Sequence, residues 1–289
     1  MIVVSLTGGL GNQMFQYAAA RRLAVKHNTK LYLDDGSYKK NKLRTYALDA
    51  FNIKGERLPA VRKYIVRKIK KRWSPRIFWN WSWCVLKQKP MQYVYEKDFG
   101  FEPEFLDLPD NVYLCGYRQC ERYFEDVEDV IRQDFTLKNS LGTLASNWKK
   151  EINNSTNSVS LHVRRGDYVG CNKHYVPLME HYQKSISMLQ ERLGDLNIYV
   201  FSDGLQWTKE NIHFEHRAHY VDLGKDGKDY EEMFLMSQCE HNIIANSSFS
   251  WWGAWLNNNA NKMVFAPSVW FANSELDASD IVPDKWIKI

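Results

Sequence analysis

The stretch Val159-Ser160-Leu161-His162-Val163-Arg164-Arg165-Gly166-Asp167-Tyr168 decides how the chain is read. Its first half alternates apolar and polar residues, the period of a strand. Gly166 then marks a turn. Two guanidiniums, an imidazole and a carboxylate therefore gather where a strand ends. In open α/β sheets ligands bind in the crevice at the carboxyl ends of the strands. Arginine suits phosphate there, because its planar fork matches two oxygens. Neighbouring side chains of an extended segment point to opposite faces. One arginine can thus face a phosphate while the other is held by a structural carboxylate; these residues do not say which. The plainer reading is a solvated Arg-Arg pair with Asp167 as a local partner.

The rest of the second half repeats strand and helix. Helices are expected over about 178–193, 229–239 and 249–257, and strands over 197–201, 242–245 and 262–266, which makes a parallel, Rossmann-like sheet. Three strand ends carry polar groups: His162 to Tyr168, Ser202-Asp203, and Asn246 to Ser250. Ser247 and Ser248 are N-cap residues at a helix start, a phosphate cradle. Asp203 and Glu240 are candidate acceptors for ribose hydroxyls or a base edge. Trp251, Trp252 and Trp255 lie on both faces of their helix and read mainly as core.

The first half opens in the same way. A buried strand, Ile2 to Leu6, runs into Gly8-Gly9-Leu10-Gly11 and a helix from about Asn12 to His27, followed by a strand from Lys30 to Asp34. A glycine turn before a helix can hold an anion, although this spacing fits neither the P-loop nor the dinucleotide fingerprint. Further on, a strand over 111–116 and an acidic helix from Glu121 to Phe135 are expected. Residues 140–157 have the composition of a linker, with a short helical patch near Trp148, and place a domain boundary at about 155.

Three motifs, in order, carry a resemblance: Gly8-Gly9-Leu10-Gly11-Asn12-Gln13-Met14-Phe15-Gln16-Tyr17-Ala18, His162 to Tyr168, and Asn246-Ser247-Ser248-Phe249-Ser250-Trp251-Trp252-Gly253-Ala254-Trp255. With these the chain resembles glycosyltransferase family 11, the α-1,2-fucosyltransferases. The resemblance implies an α/β, GT-B-like fold: two Rossmann-like domains, 1–155 and 156–289, facing across a cleft. The first would shape the acceptor side and the second would hold GDP-fucose. It implies inverting transfer of L-fucose to the 2-hydroxyl of a terminal galactoside in a surface glycan of the O-antigen type, on a free or lipid-linked acceptor. It implies no cofactor and no metal, so preorganised cations must offset the leaving diphosphate. Arg164 and Arg165 are assigned to that task, with His162 and Asn12 in support. Asp167 either serves as general base or anchors an arginine. Gly11, Gln13, Ser202, Asn246 and Phe249 complete the expected donor site. Gly204 follows Ser202-Asp203 where the family often has a second aspartate, which weakens a carboxylate role there. The rival readings are a transferase for another GDP-sugar or linkage, and a non-catalytic nucleotide-sugar or glycan-binding protein.

Composition is that of a globular chain: 289 residues, 44% hydrophobic and 25% charged. Aromatics reach 14%, with flat faces suited to sugars, bases or core packing. A net charge of +5 favours anionic partners. No nucleic-acid-binding signature is present. Five cysteines without a Cys-x-x-Cys pair read as reduced, cytosolic thiols. The first residues do not read as a signal peptide. Residues 62–73 form a basic amphipathic pattern, with Trp79, Trp81 and Trp83 beyond it. Such a helix either packs on its own domain or lies on an anionic membrane surface, here the inner face of the bacterial plasma membrane.

Overall fold

The computed structural model describes residues 1–39, 43–59, 91–165, 176–214, 217–273 and 275–289. The chain forms two compact units, Met1–Lys138 and Asn139–Ile289. Gly166, Asp167, Tyr168 and the basic and aromatic stretch 62–83 lie outside the described residues, and so do the readings placed on them.

The first unit is built on β1 (Ile2–Ser5), α1 (Leu10–Lys26), β2 (Leu31–Asp34), β3 (Glu56–Arg57), β4 (Gln92–Tyr95) and β5 (Val112–Cys115). The sheet runs β3-β2-β1-β5-β4, and every pair is parallel. Ile2, Val3 and Val4 are all buried, as a central parallel strand requires. Met14, Phe15, Ala18 and Ala19 of α1 are buried too. Strand order turns at β1: β2 lies on one side and β5 on the other.

The acidic helix expected over 121–135 is broken. Two 3-10 turns, Glu121–Tyr123 and Glu125–Val127, precede a short α2 (Glu128–Asp134). Tyr123 and Phe124 are both fully buried although adjacent. A regular helix points such neighbours about 100° apart, and Phe124 instead adopts φ −148°. Asp134 ends α2 under α1, accepting from Tyr17 Oη at 2.6 Å and from Arg21 Nε at 2.7 Å.

The second unit contains α3 (Thr143–Asn154), β6 (Ser158–Val163), α4 (Met179–Leu193), β7 (Asn197–Ser202), α5 (Leu205–Asn211), β8 (Arg217–Tyr220), α6 (Asp229–Gln238), β9 (His241–Ile243), α7 (Ser248–Trp255), β10 (Val264–Ala266) and β11 (Ile287–Lys288). Its sheet, β11-β10-β9-β6-β7-β8, is again all parallel. The segment read as linker is in fact α3. Ala145 and Ile152 pack with Tyr199, Phe201 and Leu235, which places α3 in the second unit and the boundary at 138 rather than 155. Glu231 accepts the N–H of Gly142 at 2.7 Å just before α3. Trp251, Trp252 and Trp255 are buried together with Trp286, as core.

β6 is the strand from which the order departs both ways, β7 on one side and β9 on the other. That switch point opens a crevice at the carboxyl ends of β6 and β9. The first follows into His162–Arg165, the second into Asn246–Phe249.

Candidate functional site

Extended backbone at the end of β6 puts His162 and Arg164 on one face and Arg165 on the other. His162 packs its ring against Phe249 of α7, centroids 5.7 Å apart. Burial first, then the Arg164 guanidinium, pulls its pKa down to about 3, with Asp203 opposing. The imidazole is therefore neutral at physiological pH, and its buried Nδ1 has no hydrogen-bond partner among the described residues.

Asp203 clamps both arginines from the end of β7. Its Oδ2 lies 2.8 Å from Arg164 Nη1, and its Oδ1 accepts the N–H of Arg165 at 2.8 Å. The Arg165 guanidinium carbon lies over the Trp207 ring of α5, 3.5 Å from its centroid. The carboxylate expected to bind ribose or base is thus already committed to orienting the cations. Ser202 is committed as well: its Oγ accepts from the N–H of Gly204 and the hydroxyl of Thr208, both at 3.0 Å, which secures the start of α5.

Across the crevice, Ser247 caps α7 and accepts the N–H of Phe249 at 3.3 Å. Asn246 is buried and ties the loop down by donating to the Trp270 carbonyl at 2.9 Å. Ser248 and Phe249 remain half-exposed at the helix start. Arg164, the half-exposed Ser248 and the α7 N-terminus together supply cationic and dipolar groups suited to a phosphate.

Glu240 does not join this site. It precedes β9, donates its N–H to Ser158 Oγ at the start of β6, and so sits at the amino edge of the sheet. Five residues of strand at about 3.3 Å each separate that edge from Val163. In the first unit, Gln13 is no polar tip. It is fully buried, donates to the Thr45 and Gly8 carbonyls and accepts from the N–H of Ala47. Asn12 is half-exposed, and its Oδ1 accepts from Gln119 Nε2 at 2.7 Å. Gly11 is buried in the first turn of α1.

Two residues of the site escape a sequence reading. Trp207 is one; it carries no motif and lies on an unforeseen short helix. Glu232, half-buried in the first turn of α6, is the other. Burial first, then Asp229, Asp203 and Asp222, push its carboxyl up to about 7. The run of acids Asp229, Glu231 and Glu232 opening a helix was its visible signal.

An all-parallel α/β unit with cations, a helix N-terminus and a neutral imidazole at its switch point has the layout in which open α/β sheets bind their ligands. The profile of glycosyl transferase family 11 matches residues 1–289, and the chain belongs to that family. It is 36% identical to an alpha-1,2-colitosyltransferase of Escherichia coli over 100% of this chain and 99% of that protein. It is 34% identical to the O-antigen biosynthesis glycosyltransferase WbnK of Escherichia coli, over 98% and 99%. Its fold matches fucosyltransferase NodZ from Bradyrhizobium at a TM-score of 0.53 and 15% identity, covering 87% of this chain and 92% of that one. POFUT1 in complex with GDP-fucose gives 0.51 at 14% identity, covering 91% and 97%. The α/β, GT-B-like fold class expected from sequence is therefore shown. Among the described residues no helix is long and apolar enough to cross a membrane.

Proposed function

We propose that this glycosyltransferase moves L-fucose from GDP-fucose, with inversion, to the 2-hydroxyl of a terminal galactoside of an O-antigen-type glycan. The observation that carries the reading is Arg164, clamped by Asp203 at the end of β6, two residues on from His162, whose ring packs on Phe249 in the first turn of α7. Under this reading the second unit holds the donor and the first shapes the acceptor side.

Arg164 shares a face with His162, and His162 touches Phe249. That makes Arg164 the cation aimed at the diphosphate, while Arg165 is held by Trp207 and Asp203. Charge accumulates on the β-phosphate as the glycosidic bond breaks. A guanidinium already oriented by a carboxylate meets that charge without reorganisation. Neutral His162 offers its buried Nδ1 to the bound donor. We propose that these groups replace a metal. Asp167, the base candidate, lies outside the described residues. Contact of residues 62–73 with anionic membrane is a proposal resting on sequence alone, tested by liposome sedimentation.

A second reading is transfer of a different GDP-sugar, favoured by the 36% identity to a colitosyltransferase. Colitose is L-fucose without its 3-hydroxyl, so the two donors differ at a single group. The deciding experiment offers GDP-fucose and GDP-colitose separately to a panel of β-galactosides in EDTA and reads the product linkage by NMR. An α-1,2-fucosyl product supports the first reading. Turnover of GDP-colitose alone replaces it with the second. Loss of all transfer in EDTA, restored by a divalent cation, removes the metal-free proposal.

A further inference from the structure

The first unit has a switch point of its own, at the carboxyl ends of β1 and β5, and it is furnished unlike the donor site. Among the described residues it gathers tyrosines and planar amides, with the Arg44 guanidinium within 4 Å of where a Gly9 Cβ would stand.

Tyr117 follows β5 directly. Gly116 before it has φ +130°, and a Cβ there would collide with Glu96. The Glu96 carboxylate accepts the N–H groups of Tyr117 and Arg118 at 2.6 and 2.7 Å. Arg118 is buried and paired with Glu102 at 2.7 Å. The turn is thus pinned from beneath, while the Tyr117 ring stays half-exposed and stacks nearly parallel on Phe99, 8° between planes and 6.2 Å between centroids. From the β2 side, Tyr38 donates its hydroxyl to the Gly8 carbonyl at 3.0 Å. The Tyr117 and Tyr46 hydroxyls lie close enough to push its own pKa further above the tyrosine range, after burial. Between them, the Asn12–Gln119 amide pair bridges the two strand ends at 2.7 Å.

Four segments far apart in sequence therefore bring aromatic faces and hydroxyl- or amide-bearing tips to one crevice. A pyranose needs this combination. Its C–H face packs on an aromatic ring, and its hydroxyls pair with tyrosine and amide groups. We propose that this crevice binds the acceptor sugar, a β-linked galactopyranose, with Tyr117 and Phe99 as the platform under its apolar face. The proposal rests on the galactoside reading above.

The test uses the full-length enzyme with lactose as the probe. Tyr117→Ala and Phe99→Ala are expected to raise the KM for lactose about tenfold or more. The KM for GDP-fucose and the slow hydrolysis of GDP-fucose without acceptor should stay within about twofold of the parent. Tyr117→Phe, which keeps the ring, should recover most of the loss and guards against misfolding. Saturation-transfer NMR of lactose on the parent and on Tyr117→Ala reads the same contact without turnover. An unchanged lactose KM in both alanine variants, with the parent active, overturns the platform and leaves the proposed function standing. A raised GDP-fucose KM with an unchanged lactose KM overturns it too. If the parent transfers fucose to no galactoside, yet lactose signals vanish in Tyr117→Ala, the activity reading falls and the sugar site stands.

Discussion

Arg164 and Asp203 form a pair whose two halves should fail differently. Arg164→Ala removes the cation aimed at the leaving diphosphate, and kcat should fall about 100- to 1000-fold, the usual effect of losing one preorganised donor. Asp203→Asn keeps an oxygen for the Arg165 N–H but drops the charge that orients Arg164, and a smaller, roughly tenfold loss in kcat/KM is expected. Steady-state kinetics on GDP-fucose check both; equal losses would mean that Asp203 acts on substrate itself. Glu232 makes a prediction about pH. An ordinary glutamate titrates at 4.5, and this one at about 7 in the folded chain. Between those values the unfolded chain gives up the proton first, so folding stability contributed by the neutral acid is complete below 4.5 and is lost as pH rises through 7. Glu232→Gln should therefore gain about 1–3 kcal/mol at pH 8 and nothing at pH 4.5. Thermal melts of the two proteins at both pH values read it.

At the scale of elements, local pattern and packing divide the credit. The β6 strand, the α1 glycine turn and the α7 cap were all legible, because alternation, glycine and N-cap serines act over a few residues. Glu240 was misplaced because a residue before a parallel strand lies at the opposite edge from one after it. Gln13 was misread because α1 begins at Leu10, two residues early, which turns its amide onto the 45–47 backbone. No local signal announces Trp207 or the division of 121–135, since both are set by what those segments pack against. Gly253 shows the same force at work. It sits inside α7 where a Cβ would come within 2.8 Å of Met236 Cβ on α6. Gly253→Ala gains helix propensity but overpacks that contact. A net loss of about 1–3 kcal/mol is expected from urea unfolding at unchanged slope. A stabilised variant would show that α6 can shift outward at little cost.

At the scale of the whole molecule, two parallel α/β units could be foreseen from repeated strand–helix alternation, but their strand orders could not. Order depends on where each crossover lands, and crossover length does not encode it. The site inherits that limit: the motifs named the groups, and only the placement of β9 beside β6 brought Phe249 to His162. Each unit having its own switch point leads to the last prediction. GDP carries no sugar acceptor, so its binding free energy should appear in the second unit alone. At 100 times Kd, ligand adds about 2.7 kcal/mol to the state that binds it, which slows exchange through unfolding of that state about 100-fold. Hydrogen exchange with saturating GDP should therefore protect residues 158–165, 197–208 and 241–256. Residues 2–34 and 112–119 should exchange as before. Protection of 112–119 at equal strength would place the nucleotide against the tyrosine crevice, and the division of labour between the units would have to be reversed.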